Sequence, residues 1–413
     1  MNQPIPIVEA ALLTLLILVC ARVGIGFLSD ALQRHNSLKK ELAVENSARI
    51  ELSSRLRQTY VDLSMSRRQA RWREVMVVKV VQESEDVRSF YLVDKDQEPL
   101  PSGLPGQHIL VERPKGANSK GGCRCYSLSD DSSAGHWRVS VKKNSSRPES
   151  VSRWLHEEVA AGDVLRARGP SGAFYLQSAV DRKIVLVSAG IGITPMLPMI
   201  FEAIRKPGRS VRCFAQFRDV AHMPFIDTLS SIATHYAQVE MEIWISRFPK
   251  GVRRSTASLF REGKFQAKDM LSHEGAQQNS DYYLCGPEEW QEKICADLVE
   301  GGVRSEFIHY ELFQQSEKSI PVTPSSKYAS HNVHFKQSGS IAKFEATHNS
   351  LLTCAGQHSV SLESGCRTGA CGSCAVKLLG GKVRYTREPQ FQTQTNEILP
   401  CVCVPESDLE VDA

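Results

Sequence analysis

Three cysteines fall within nine residues, CRTGACGSC from Cys366 to Cys374, and two more, Cys401 and Cys403, follow in ILPCVCVPESD. The first three stand at C-x4-C-x2-C spacing, which suits a 2Fe-2S cluster, where four thiolates converge on two irons. The intervening glycines let a loop wrap such a cluster and turn backbone N–H groups toward its sulfides. A zinc site favours paired short spacings, and a disulfide framework needs an oxidising compartment. Twelve cysteines scattered over 413 residues, with one tight group, fit reduced thiols and a metal site. Either Cys401 or Cys403 can supply the fourth sulfur.

Other stretches carry chemistry of a different kind. In RCYSL, Arg124 to Leu128, a guanidinium, a phenol and a hydroxyl share one strand, a set able to hold a flavin by its phosphate, ring face and polar edge. Ser150 and Ser152 open an amphipathic helix whose free N–H groups form an anion site, or merely a capped helix start. The apolar run Ile184 to Val187 leads directly into GIGITP, Gly190 to Pro195, and then a helical segment. Glycines between strand and helix allow close approach of a pyrophosphate to a helix N-terminus.

The elements that must position these residues are also visible. VMVVKVVQESEDVRSFYLV, HILVE and WRVSVKK are short β-branched runs between Gly and Pro turns, which predicts a small antiparallel barrel. From Lys183 the pattern alternates strand and helix, which predicts a doubly wound α/β domain. QQSEKSIPVTPSSKYAS reads as a linker, and the segment after it as two strands and a helix before the cysteine loop. At the other end, Ile5 to Leu28 is apolar apart from Glu9, Arg22 and a few small or neutral residues, long enough for a single transmembrane helix. No Lys or Arg precedes it, whereas Arg34, Lys39 and Lys40 follow, so the positive-inside rule predicts single-pass placement in the inner (cytoplasmic) membrane with the catalytic domains in the cytoplasm. Leu38, Leu42, Leu52, Leu56 and Leu63 mark a helical spacer compatible with a homodimer. A net charge of +4, evenly spread, gives no nucleic-acid footprint.

RCYSL, the helix start at Val151 and Ser152, GIGITP, LCGPEEW and IHYELF occur in the order found in the ferredoxin-NADP reductase superfamily, which residues 75–315 resemble. The resemblance implies an FAD-binding barrel followed by an NAD(P)-binding domain. Arg124, Tyr126 and Ser127 match its RxYS flavin motif. Gly190, Gly192, Thr194 and Pro195 match its GxGxTP nucleotide loop, and Cys285, Gly286 and Pro287 its CGP turn beside the nicotinamide. Val151 and Ser152 fall in its flavin phosphate loop, where Pro148 and Glu149 replace the usual glycines. Module order and RCYSL look more like the FAD-bearing than the FMN-bearing members. Residues 331–413 resemble the plant-type ferredoxin domain. In that pattern the fourth ligand is followed by Pro, Ser and Asp four, six and seven positions on; counting from Cys401 gives Pro405, Ser407 and Asp408. The implied ligands are therefore Cys366, Cys371, Cys374 and Cys401, with Cys403 a bystander.

The expected organisation is a transmembrane anchor over 1–29, a helical spacer over 30–73, an FAD-binding barrel over 74–178, an NAD(P)-binding domain over 179–315, a linker over 316–330 and a 2Fe-2S ferredoxin domain over 331–413. Its expected activity is electron transfer from NADH or NADPH through FAD and the cluster to an acceptor protein, such as an oxygenase, hydroxylase or desaturase in or near a membrane. A membrane-tethered redox sensor is the rival class, and donor, flavin and cluster motifs in one chain favour the enzyme. Cys285 is expected to shape the nicotinamide pocket and Glu311 to assist proton transfer. Asp219 suits a ribose hydroxyl and hence NADH, while Arg218 or the Ser246–Arg247 pair suits a 2′-phosphate. Cys125 is expected to point away from the flavin.

Overall fold

The computed structural model describes residues 71–413 apart from 117–121, 132–133, 147–148, 178–181, 207, 249–258, 272–278, 314–329, 346, 390 and 392. The first domain is an antiparallel sheet of β1 (Trp72–Ser84), β2 (Val87–Asp94), β3 (His108–Arg113), β4 (Gly122–Ser127), β5 (Trp137–Lys142) and β6 (Val164–Ser171), in the order β4-β3-β6-β1-β2-β5. A bridge between Leu128 and Val139 links the two edges and closes a barrel. Alternate side chains, among them Val75, Val77, Phe90, Leu92, Ile109 and Val111, fill its interior. Helix α1 (Val151–Glu158) lays Val151 and Leu155 on that core. β1 begins inside the stretch expected to be helical spacer, because Trp72 pairs with Arg168 of β6 and its ring lies under the Arg166 and Arg168 guanidinium groups.

The second domain is a wholly parallel sheet ordered β10-β9-β8-β7-β11-β12, formed by β7 (Lys183–Ala189), β8 (Val211–Phe217), β9 (Val239–Ile245), β10 (Phe260–Glu262), β11 (Ser280–Cys285) and β12 (Ile308–Glu311). Apolar clusters cover both faces, which is why β7 reads as the unbroken run IVLV. Helices α2 (Met196–Arg205), α3 (Ile226–His235), α4 (Ala267–Leu271) and α5 (Glu288–Glu300) complete it. The third domain has a mixed sheet, β14-β13-β19-β15-β17, and a β16-β18 ribbon, packed on α6 (Leu351–Gln357). Its strands are β13 (His331–Phe335), β14 (Ser340–Phe344), β15 (Val376–Gly380), β16 (Val383–Tyr385), β17 (Glu397–Ile398), β18 (Cys403–Pro405) and β19 (Leu409–Val411).

One part of the expected architecture is corrected. Among the described residues no helix is long and apolar enough to cross a membrane. The longest, α5, has 13 residues with Glu, Lys and Asp spread along it, against the roughly 20 apolar residues a span requires. The transmembrane element of the fold class is withdrawn, and the single-pass membrane localisation with it. The segment 1–29 that suggested it, the leucine seam of the spacer and residues 316–329 of the linker lie outside the described residues.

Candidate functional site

The cysteine loop follows α6 and runs from Gly365 to Cys374. Gly369 and Gly372 adopt φ of +80° and +68°, a region open to glycine, and a side chain at Gly372 would strike the Phe391 ring. The loop aims N–H groups at sulfur: those of Thr368, Ala370 and Cys371 reach Cys366 Sγ at 3.3, 3.4 and 3.3 Å, and that of Cys366 reaches Cys371 Sγ at 3.3 Å. Cys374 and Cys401 bring their sulfurs to 3.2 Å. Thiol donors beside them, Cys125 and Cys366 for Cys371 and Cys401 for Cys374, pull both below the usual thiol range. Four sulfurs, Cys366 partly exposed and the other three buried, with N–H donors aimed at them, fit a 2Fe-2S cluster held by Cys366, Cys371, Cys374 and Cys401. Cys403 buries its side chain in the separate apolar cluster of Val333, Phe335 and Leu409.

β4 carries Arg124, Tyr126 and Ser127. The Tyr126 hydroxyl is buried without a hydrogen-bond partner, an orphan that a flavin would satisfy. Ser127 Oγ donates to Glu311 Oε2 at 3.1 Å, and Glu311 Oε1 meets His108 Nδ1 at 3.3 Å. Burial disfavours the His108 cation, but the hydrogen bond and charge of Glu311 outweigh it and raise its pKa. Glu311 is therefore a buried centre between two domains. Arg124 Nη1 reaches back to Cys123 O at 3.3 Å and across to Gly365 O at 3.5 Å. At the start of α1, Ser150 Oγ accepts from Arg153 N at 3.2 Å and Ser152 Oγ accepts from Asn144 N at 3.3 Å, while Val151 is buried.

The nucleotide loop leaves β7 at Gly190, φ +57°, and makes one 3-10 turn through Ile193 before Thr194 and Pro195 lead into α2. Thr194 Oγ1 donates to Ile191 O at 2.8 Å and holds the turn. A Cβ at Gly192 would lie 2.0 Å from Cys285 O, so this loop sits directly on the Cys285–Gly286 turn. Cys285 and Glu311 are register partners on β11 and β12. Burial, and then the charge of Glu311, pushes the Cys285 thiol well above its ordinary range. Pro287 caps α5, and Gln291 donates to both Leu284 O and Glu311 O at 2.7 and 3.0 Å, which ties both strand ends to that helix. Where β8 ends, Asp219 meets His222 Nδ1 at 2.6 Å and Arg218 Nε at 3.2 Å, Arg247 N donates to Arg218 O at 2.7 Å, and Ser246 accepts from Gln216 at 3.2 Å.

Sequence reasoning missed three features: His108 against Glu311, the contact of Cys125 with the cysteine loop, and the ion pairs Arg387–Glu288 at 2.5 Å and Arg168–Glu363 at 3.3 Å that join the third domain to the other two. All are long-range pairs, so no single motif contains both partners; a histidine inside the HILVE strand was the one visible sign.

Fold and site together are those of a ferredoxin-reductase-like fold that joins an FAD-binding domain to a 2Fe-2S domain. Residues 74–175 match the family described as oxidoreductase FAD-binding domain, and residues 334–406 the 2Fe-2S iron-sulfur cluster binding domain. Among individual relatives, the flavohemoprotein of Chromobacterium violaceum is 32% identical over 246 residues, 59% of this chain and 60% of that protein. The flavohemoprotein of Bacillus subtilis is 31% identical over the same shares. The chain thus spans about 60% of the length of the curated relatives it matches. Among solved structures, the FAD/NAD-binding domain of nitric oxide dioxygenase from Vibrio cholerae is 27% identical, covering 58% of this chain and 98% of that one at a TM-score of 0.53. An intact type IV self-sufficient cytochrome P450 monooxygenase is 25% identical, covering 83% of this chain and 41% of that one at 0.59. Phthalate dioxygenase reductase, 24% identical, shares the fold over 83% of this chain and 98% of its own at 0.54.

Proposed function

We propose that the chain is an NAD(P)H-dependent reductase that passes electrons to a separate acceptor protein, such as an oxygenase, hydroxylase or desaturase. One observation carries the reading: the flavin-motif strand β4, the Cys285 turn and the four-cysteine loop meet around Ser127, Glu311 and Cys371. Bound FAD supplies the conversion of a hydride's electron pair into single electrons, which a bound 2Fe-2S cluster carries one at a time. In this reading Arg124, Tyr126, Ser127, Val151 and Ser152 hold the flavin. Gly190, Gly192, Thr194, Pro195, Gly286 and Pro287 shape the nucleotide site, and Cys285 sets the floor of the nicotinamide pocket. Glu311 holds Ser127 and His108 in place and can take or give a proton at its buried carboxylate. NADH is favoured over NADPH, because Asp219 at the end of β8 suits a ribose hydroxyl and already engages Arg218, the guanidinium that would otherwise meet a 2′-phosphate. Likeness to the P450 monooxygenase supports an oxygenase-type acceptor.

The test is steady-state reduction of cytochrome c or a dye by purified protein with NADH and with NADPH. Turnover with a preference for NADH is expected; no turnover from protein fully loaded with flavin and cluster sinks the reading.

A further inference from the structure

Leu110 and Cys125 face each other across β3 and β4. Their neighbours Ile109 and Val111 point into the barrel core, yet Leu110, on the opposite face of the strand, is only 1% exposed. The cysteine loop covers it: a Cβ built at Gly365 would lie 2.9 Å from Leu110 Cδ2, 3.0 Å from Cys125 Sγ and 3.2 Å from Cys371 Sγ. Three side chains from two domains thus close on Gly365, where a larger residue would have to displace at least the end of Leu110. The Cys125 and Cys371 sulfurs meet at the same glycine from two different domains.

We propose that Cys125 is a positioning residue of the cluster site, its S–H donating to the sulfur of ligand Cys371 and thereby raising the reduction potential of the bound 2Fe-2S group. The inference rests on Cys371 being a ligand. A donor to a ligand sulfur stabilises the state with the extra negative charge, so hydrogen bonds to sulfur set the potentials of such clusters. Cys125 also lies between Arg124 and Tyr126, so the same strand that carries the flavin motif supplies the donor. This gives the second position of RCYSL a role in the neighbouring domain.

The test uses the full chain, with iron and sulfide content measured first and the cluster potential then read by titration followed by electron paramagnetic resonance. Cys125→Ala is expected to keep the cluster and make its reduction about tenfold less favourable, which for one electron is about 59 mV more negative. Cys125→Ser, which keeps a donor, is expected to recover most of that shift. Electron-nuclear double resonance should show an exchangeable proton coupled to the cluster in wild type and in Cys125→Ser, absent from Cys125→Ala. An unchanged potential in the alanine variant overturns the proposal. So does an equal shift in both variants, which would mark a packing effect, or loss of the cluster from the alanine variant. A wild-type chain that binds no cluster instead removes the ligand assignment itself.

Discussion

The sulfurs of Cys374 and Cys401 touch at 3.2 Å, and Cys401 packs with Leu399 and Val402 beside Cys374. Cys403, two residues on, forms the first position of β18 opposite Tyr385 and is fully buried in the core of the third domain. The two thiols therefore have different dependents. Cys401→Ser is expected to abolish or strongly alter the visible cluster spectrum. Cys403→Ala should leave that spectrum intact and cost about 1 kcal/mol of stability through the small cavity it opens. Absorption spectra and thermal unfolding of the two variants check both halves, and a normal spectrum in Cys401→Ser would falsify the assignment. The grounds for preferring Cys401 lie in the sequence itself, in the Pro, Ser and Asp that follow it as a short local pattern. The His108–Glu311 contact was not, since 203 residues separate its members and no periodicity relates them.

At the scale of elements, the strand–glycine–helix unit after β7 illustrates what local pattern can and cannot encode. The apolar run and the glycines announce a turn at the end of a buried parallel strand, and the turn is there. They do not reveal why the second glycine is needed. Gly192 has an ordinary backbone conformation, but its Cβ would stand 2.0 Å from the carbonyl oxygen and 2.5 Å from the carbonyl carbon of Cys285, backbone atoms of another strand that cannot rotate away. Gly190 is the reverse case: φ is +57°, and nothing lies within 4 Å of its Cβ position. Gly192→Ala is therefore expected to push the GIGITP loop off the Cys285–Gly286 turn at a cost of about 1–3 kcal/mol, with a lower melting temperature and a raised KM for the nicotinamide coenzyme. Gly190→Asn, which tolerates a positive φ, should melt close to wild type. Equal melting temperatures for Gly192→Ala and wild type would show that the two loops are not in this contact in solution.

Across residues 69–413, which form one compact unit, the third domain is joined to the others by a small apolar contact at Leu110 and Gly365 and by a few polar ties. Arg387 Nη2 meets Glu288 Oε1 at 2.5 Å at the start of α5, and Arg168 Nη1 meets Glu363 Oε2 at 3.3 Å beside the barrel. Glu288 is mostly buried and lies in the first turn of α5, where a helix favours a carboxylate. The Arg168–Glu363 pair is more open to solvent. Partly exposed pairs of this kind contribute on the order of 0.2–1 kcal/mol each, and salt screens them. Docking of the third domain is accordingly expected to weaken by a factor of about 1.4 to 5 when either pair is removed, since 1.4 kcal/mol is a factor of ten. Hydrogen exchange of the Gly365–Cys374 loop and of β4 reads this directly. Exchange in both segments should quicken in Arg387→Ala and in Arg168→Ala, quicken further when the two are combined, and quicken in wild type as salt is raised. Because each variant removes one tie and leaves the barrel core and the α/β sheet untouched, exchange in the interior strands β7 and β8 should stay at wild-type rates. If the loop and β4 exchange at wild-type rates in the double variant at high salt, the ion pairs do not hold the third domain, and the apolar seat at Leu110, Gly365 and Cys125 does so alone.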